Sequence, residues 1–94
     1  MTASDTNARK RNDGPLGAVA GETLVDARGH RCPVPTLRLR RAMEAAGAGG
    51  RARLLADDPM ARIDVPHFAA AKGYVVEESG EVSGTLFFVV SAPA

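Results

Sequence analysis

Between residues 23 and 90 short apolar runs alternate with polar breaks rich in glycine and proline, and the spacing within each run predicts its element. Thr23-Leu24-Val25 leads into Asp26-Ala27-Arg28-Gly29, a strand ending in a turn. After Pro33 the apolar positions Leu39, Ala42, Met43 and Ala46 recur three and four apart, the pattern of a helix with one buried stripe. Arg38, Arg41 and Glu44 fall on its other face. Gly47-Ala48-Gly49-Gly50 stops this helix, since glycine accepts the left-handed geometry of a helix end. Arg53-Leu54-Leu55-Ala56 gives a second strand, closed by Asp57-Asp58-Pro59. A strand–helix–strand unit of this length predicts a parallel pair with a right-handed crossover.

Residues 60–72 carry Ile63, Val65, Phe68, Ala69 and Ala71 at partly helical spacing, with Pro66 among them. Two readings are open: a helix beginning near Asp64, with that residue as N-cap, or a longer helix kinked at Pro66. Gly73 ends it in both. Two strands follow, Tyr74 to Glu78 and Thr85 to Val90, joined by Ser79-Gly80-Glu81-Val82-Ser83-Gly84 as a hairpin loop. Leu86-Phe87-Phe88-Val89-Val90 is continuously apolar, which places the last strand inside the sheet. The order βαβαββ predicts an α/β two-layer sandwich, a four-stranded mixed sheet with two helices on one face. There is no internal repeat and no second domain.

Composition sharpens this reading at three points. Ninety-four residues suit one small domain, and 45% hydrophobic residues with three Phe and one Tyr imply a core of aliphatic side chains and Met. Residues 1–21 are rich in Ser, Thr, Asn, Asp, Gly and Ala and read as a flexible N-terminal tail, leaving 22–92 as the domain. No apolar run follows Arg9-Lys10-Arg11, which argues against a secretory signal, and no stretch nears the roughly 20 apolar residues that span a bilayer. The net charge of +1 conceals an asymmetry: residues 28–41 hold five arginines and no acid, while residues 42–94 hold seven acids and four bases.

The candidate chemistry centres on the only cysteine, in Gly29-His30-Arg31-Cys32-Pro33-Val34-Pro35. A lone cysteine closes no internal disulfide, so its value lies in packing or in reactivity. Proline suits the first helical position; with Pro33 there, Cys32 becomes the N-cap, beside unpaired N–H groups and the positive end of the dipole. That environment lowers a thiol pKa, and Arg31 adds positive charge. Pro35, in the first turn, stiffens the backbone behind the sulfur. The bland alternative is an inert, buried thiol at a helix start; the neighbouring Arg31 and His30 argue for exposure. A single free thiol fits a reducing compartment, hence a cytoplasmic protein.

Arg31, Arg38, Arg40 and Arg41 form a basic rim near the sulfur, readable as a solvated helix face or as a surface that steers an acidic partner. No aromatic residues interleave with them for base stacking, so direct nucleic-acid binding is not expected. His30 reads as a general base or as a plain loop residue, and His67 as surface or helix-capping. Cys32, His30 and His67 lack the close pairs of zinc sites, so no metal is expected. Asp57 and Asp58 read as caps of the second helix or as holding a loop beside the first.

The segment 26–35, with its Cys32-Pro33-Val34-Pro35, resembles the Cys-Pro-x-Pro signature of the TusA/SirA-type sulfur carrier family. Asp57-Asp58-Pro59 and Ile63-Asp64-Val65-Pro66-His67-Phe68 resemble its second signature, and the likeness covers about residues 22–91. The resemblance implies a sulfurtransferase whose Cys32 accepts sulfane sulfur as a persulfide, with no other cofactor. A cysteine desulfurase or rhodanese-like donor is implied, and an acceptor protein of a sulfur relay. The chain itself is expected as a monomer, with no membrane attachment. Val34 stands where members devoted to tRNA thiolation commonly carry an acid, and His30 where leucine is common. The pathway is therefore open among tRNA thiolation, molybdenum cofactor supply and sulfur or selenium metabolism. Two readings of other classes stand beside it: a non-catalytic interaction or regulatory module of the same fold, and a thiol redox protein.

Overall fold

The structure is a computed structural model and describes residues 14–94; the first thirteen residues of the tail lie outside it. Four strands and two helices follow one another as β1 (Thr23–Asp26), α1 (Val34–Ala46), β2 (Arg51–Ala56), α2 (Ala61–Lys72), β3 (Val75–Val82) and β4 (Thr85–Ser91). The sheet order is β1-β2-β4-β3, with β1 parallel to β2 and the other pairs antiparallel. This is the mixed four-stranded α/β sandwich the sequence predicts, with β4 interior.

The period of two in the central strands sorts their side chains onto two faces. Ala52, Leu54 and Ala56 of β2 join Leu86, Phe88 and Val90 of β4 beneath both helices. Leu39 and Met43 of α1 and Ala61 and Val65 of α2 complete that core. Pro35 is also buried, so the α1 stripe runs 35, 39, 43, whereas Ala46 is exposed. Ala61, Val65 and Ala69 form the matching four-residue stripe of α2. These small residues let α2 lie close to the sheet.

The other face of the sheet buries Leu55, Phe87 and Val89 together with Arg53, which is only 5% exposed. Arg53 donates to Glu22 Oε1 at 2.8 Å and to the Pro15 carbonyl, and its guanidinium lies 5.9 Å from the Phe87 ring centre. Gly14–Leu16 form a single 3-10 turn, so the described end of the tail is tied back to the sheet through Pro15. A charged residue inside an apolar strand signature gave no sequence signal of this role.

The structure decides one element boundary left open by the sequence and shifts another. The second helix starts at Ala61, before Asp64, and runs through Pro66, so the longer of the two readings holds and Asp64 lies in the first turn, not at the N-cap. Its end is the one predicted. Gly73 (φ +75°) donates to Ala70 and Tyr74 to Ala69, and the Tyr74 ring meets Phe68 edge-on at 5.7 Å, a complete Schellman motif. β3 extends to Val82, and the hairpin turn is Ser83-Gly84 alone, both with positive φ as a two-residue turn requires. Gly80 is therefore not a turn residue. It pairs with Phe87, and a Cβ there would stand 2.8 Å from the Phe87 ring.

Candidate functional site

The β1–α1 loop, residues 27–33, carries the cysteine, and acids of the β2–α2 loop hold it in shape. Both carboxylate oxygens of Asp57 accept the Gly29 N–H, at 3.0 and 3.1 Å. Asp58 Oδ2 accepts the Cys32 N–H at 2.9 Å, while its Oδ1 accepts the Met60 N–H at 3.0 Å. One aspartate thus fixes the cysteine and starts α2. Of the two sequence readings of Asp57 and Asp58, loop-holding and helix-starting both apply to Asp58.

The helix start is displaced by one residue from the sequence prediction. Pro33 is the N-cap of α1, with its carbonyl accepting the Leu37 N–H at 2.9 Å, and Val34 and Pro35 are the first two helical residues. Cys32 stands one residue outside, joined to Pro33 by a cis peptide bond. It is half-buried and packs against the edge of the core.

The electrostatics at the sulfur are also the reverse of those expected. The thiol pKa is pushed up, from 9.0 to about 11, not lowered. Burial is the largest cause, followed by the influence of the Asp64 carboxylate and the charge of Asp58, which favour the protonated thiol. The Thr36 hydroxyl pulls the other way. Its buried Oγ1 has no hydrogen-bond partner among the described residues, so it can turn its proton to the sulfur. The charge of Arg31 helps to hold the Asp58 carboxyl below the usual range, after the Met60 and Cys32 N–H groups.

Asp64 is the site residue that sequence reasoning missed. The sequence offers it only as a possible cap, because 31 residues of chain separate it from the thiol whose pKa it helps to raise.

An open groove of about 530 Å³ runs between residues 29–31 and residues 57–60, directly before Cys32. His30 and Arg31 line one side of it. His67 is exposed on α2 and does not line this groove. Of the basic rim, Arg38 donates to the Asp26 carbonyl at 3.4 Å and Arg40 pairs with Glu44 at 3.1 Å. Arg41 is exposed on the same helix. The rim is thus less purely basic than the run of arginines suggests, since Glu44 takes up Arg40. Among the described residues no group of three or more His, Cys, Asp or Glu is placed to hold a metal ion, and no helix is long and apolar enough to cross a membrane.

Comparison with known proteins gives a consistent result. A family model described as Sulfurtransferase TusA matches residues 23–91. The sulfur carrier protein TusA of Pseudomonas paraeruginosa (strain PA7) is 30% identical over 73 residues, covering 78% of this chain and 92% of its own. A sulfur carrier protein TusA of Pseudomonas putida (strain F1) is 30% identical over the same length, with 78% and 91% covered. The crystal structure of a SirA-like protein from Desulfitobacterium hafniense superposes with a TM-score of 0.69 at 28% identity, covering 77% of this chain and 99% of that one.

Proposed function

The chain belongs to the TusA sulfurtransferase family, and from that premise we propose that Cys32 is the residue on which it carries sulfur, as a persulfide. The observation that supports this reading most is the setting of the cysteine. It is the only one in the chain, its backbone is anchored by Asp58, and the residues just before it, Gly29 to Arg31, line an open groove.

The reaction is an exchange between sulfurs with no net oxidation. The Cys32 sulfur, having lost its proton, attacks the outer sulfur of a donor persulfide. A new S–S bond forms, the donor's own S–S bond breaks, and the donor leaves as a thiol after taking up a proton. Delivery repeats the exchange with Cys32 as the leaving group. A second cysteine nearby would instead close a disulfide and eject the sulfur, which a one-cysteine chain avoids.

A pKa of about 11 leaves about one molecule in a thousand as thiolate at pH 8. Free in solution, the empty carrier is a poor nucleophile. A donor that docks in the groove must therefore supply the proton acceptor or the positive charge that ionises it. We read the donor as a cysteine desulfurase or rhodanese-like protein, and the acceptor as a relay protein of tRNA thiolation, molybdenum cofactor supply or other sulfur metabolism, in the cytoplasm. Arg31, Arg38, Arg40 and Arg41 are read as the docking rim, with Pro33 and Pro35 supporting the loop.

Incubation with a cysteine desulfurase and cysteine tests the reading by intact mass. Gain of one sulfur, lost on reduction and absent in Cys32→Ala, is the expected result. No gain, or a gain that persists in Cys32→Ala, rejects it. Partner binding that survives in Cys32→Ser together with an unchanged cellular phenotype would favour the interaction-module reading.

A further inference from the structure

The loop before α1 is built as two successive turns. The Ala27 carbonyl accepts the His30 N–H at 3.3 Å, and the Arg31 carbonyl accepts the Val34 N–H at 2.9 Å. The Gly29 and Cys32 N–H groups instead leave the loop for two adjacent carboxylates, Asp57 at 3.0 Å and Asp58 at 2.9 Å. Asp58 is tied as firmly to α2. Its Oδ1 accepts the Met60 N–H at 3.0 Å and its carbonyl accepts the Ala61 N–H at 3.0 Å. Residues 29–31 form one wall of the groove and residues 57–60 the other, so these two acids join the walls. Met60, 48% exposed, gives the second wall an apolar contact to offer. Cys32 follows directly on the first wall.

We propose that Asp58 is a positioning residue for sulfur transfer: its carboxylate bridges the Cys32 and Met60 N–H groups and so fixes the sulfur relative to the groove in which a protein donor docks. This role rests on the carrier reading of the site and adds to it the means by which a docked donor finds the sulfur. A donor seated between the walls touches residues 57–60 without having to grip the cysteine loop. Through Asp58, the place where it sits also sets the place of the Cys32 backbone. Exchange requires the attacking sulfur in line with the donor's S–S bond, and a misplacement of about 1 Å costs about a hundredfold in rate. Asp57 acts on Gly29, three residues before the cysteine, and so shapes the wall rather than the sulfur. A small donor diffuses to the sulfur by itself and depends far less on the bridge.

The test compares two donors on the full-length chain, a cysteine desulfurase with cysteine and glutathione persulfide, with sulfur gain read by intact mass. With glutathione persulfide the Cys32 thiolate attacks the outer sulfur, a new S–S bond forms, and glutathione leaves as a thiol after taking up a proton. With the carrier as the varied substrate of the desulfurase, Asp58→Ala should lower kcat about thirtyfold and change KM less than about threefold. Loading from glutathione persulfide should fall far less, so that the ratio of the two rates drops about tenfold. That ratio cancels a change in thiol acidity, which acts on both donors alike. Asp58→Asn keeps one acceptor oxygen, enough for Cys32 or for Met60 but not for both, and its kcat should fall between those of the wild type and Asp58→Ala. A wild-type kcat in Asp58→Ala overturns the proposal, as does an equal loss with both donors, the mark of a collapsed loop. A wild-type kcat in Asp58→Asn overturns it too, which covers an Asp58→Ala chain that fails to fold. A wild type that takes no sulfur from either donor rejects the carrier reading, whereas a wild type that loads no better than its variants rejects the positioning role alone.

Discussion

The Cys32 N–H and the Asp58 carboxylate meet at 2.9 Å although 26 residues separate them in the chain. The loop that presents the sulfur therefore takes its shape from the loop that starts α2. Asp58→Ala removes the acceptor for both Cys32 and Met60, and Asp57→Ala removes that for Gly29. Amide exchange measured by NMR should accelerate at those amides in the corresponding variant, while amides of β4 keep their wild-type protection. Unchanged exchange at Cys32 in Asp58→Ala would show that the bond does not hold the loop.

The raised thiol pKa has a consequence for stability. The folded state holds the Cys32 proton up to about pH 11, against 9.0 for the ordinary thiol. This contribution is thus fully present below about pH 9 and is lost as the pH rises through 11. Partial exposure limits it to about 2 kcal/mol at most. Urea unfolding at pH 8 and pH 11 should show the wild type losing up to that much relative to Cys32→Ser, which has no titrating group there.

Thr36→Val should separate stability from reactivity. The variant removes a buried hydroxyl that has no partner among the described residues, which should raise stability by about 1 kcal/mol. It also removes the one group that favours the thiolate, so alkylation of Cys32 should slow. Thermal unfolding and iodoacetamide kinetics on the same samples check both signs, and faster alkylation would place the hydroxyl away from the sulfur.

Glu22 and Arg53 form an ion pair whose side chains are 2% and 6% exposed. Burial works to raise the Glu22 pKa, but the bonds from Arg53 and the Val19 N–H, with the charges of Arg53 and Arg51, bring it below 4.5. The pair's contribution is present above about pH 4.5 and fades as the pH falls through the lowered value. Glu22→Ala leaves Arg53 buried without its carboxylate and should cost about 3 kcal/mol at pH 7, whereas Glu22→Leu with Arg53→Met should recover most of that loss. Chemical denaturation of the single and double variants decides it.

Gly80→Ala should destabilise the hairpin by about 1–2 kcal/mol, because the new Cβ meets the Phe87 ring at 2.8 Å. The ring is buried and flanked by Arg53, so it has little room to retreat. If Gly80→Ala melts with the wild type, the ring can move aside after all.

Much of the fold was legible because it rests on local periods. Leu39 and Met43, Gly73, and the apolar run of β4 each announce their element within a few residues of chain. The site was legible only at its centre. Cys32 and its prolines stand out, but Asp58, which holds the Cys32 N–H, comes from a distant loop, and no local pattern joins them. The misplaced N-cap shows how fine the margin is: one residue of offset takes Cys32 out of the N-cap position on which the expected low pKa depends. Gly80 was misread because a glycine needed for a close approach looks, in sequence, like a glycine needed for a turn.

The Phe87 ring seated on Gly80 also works as an index mark. A slip of β3 along β4 by two residues would keep every side chain on its own face, so alternation alone does not forbid it. Such a slip would bring Glu78 or Val82 under the ring, where a Cβ has no space. The notch admits one alignment only. Because β4 also carries Leu86 and Phe88 beneath the helices, that alignment keeps the edge strand in step with the strand that floors the core.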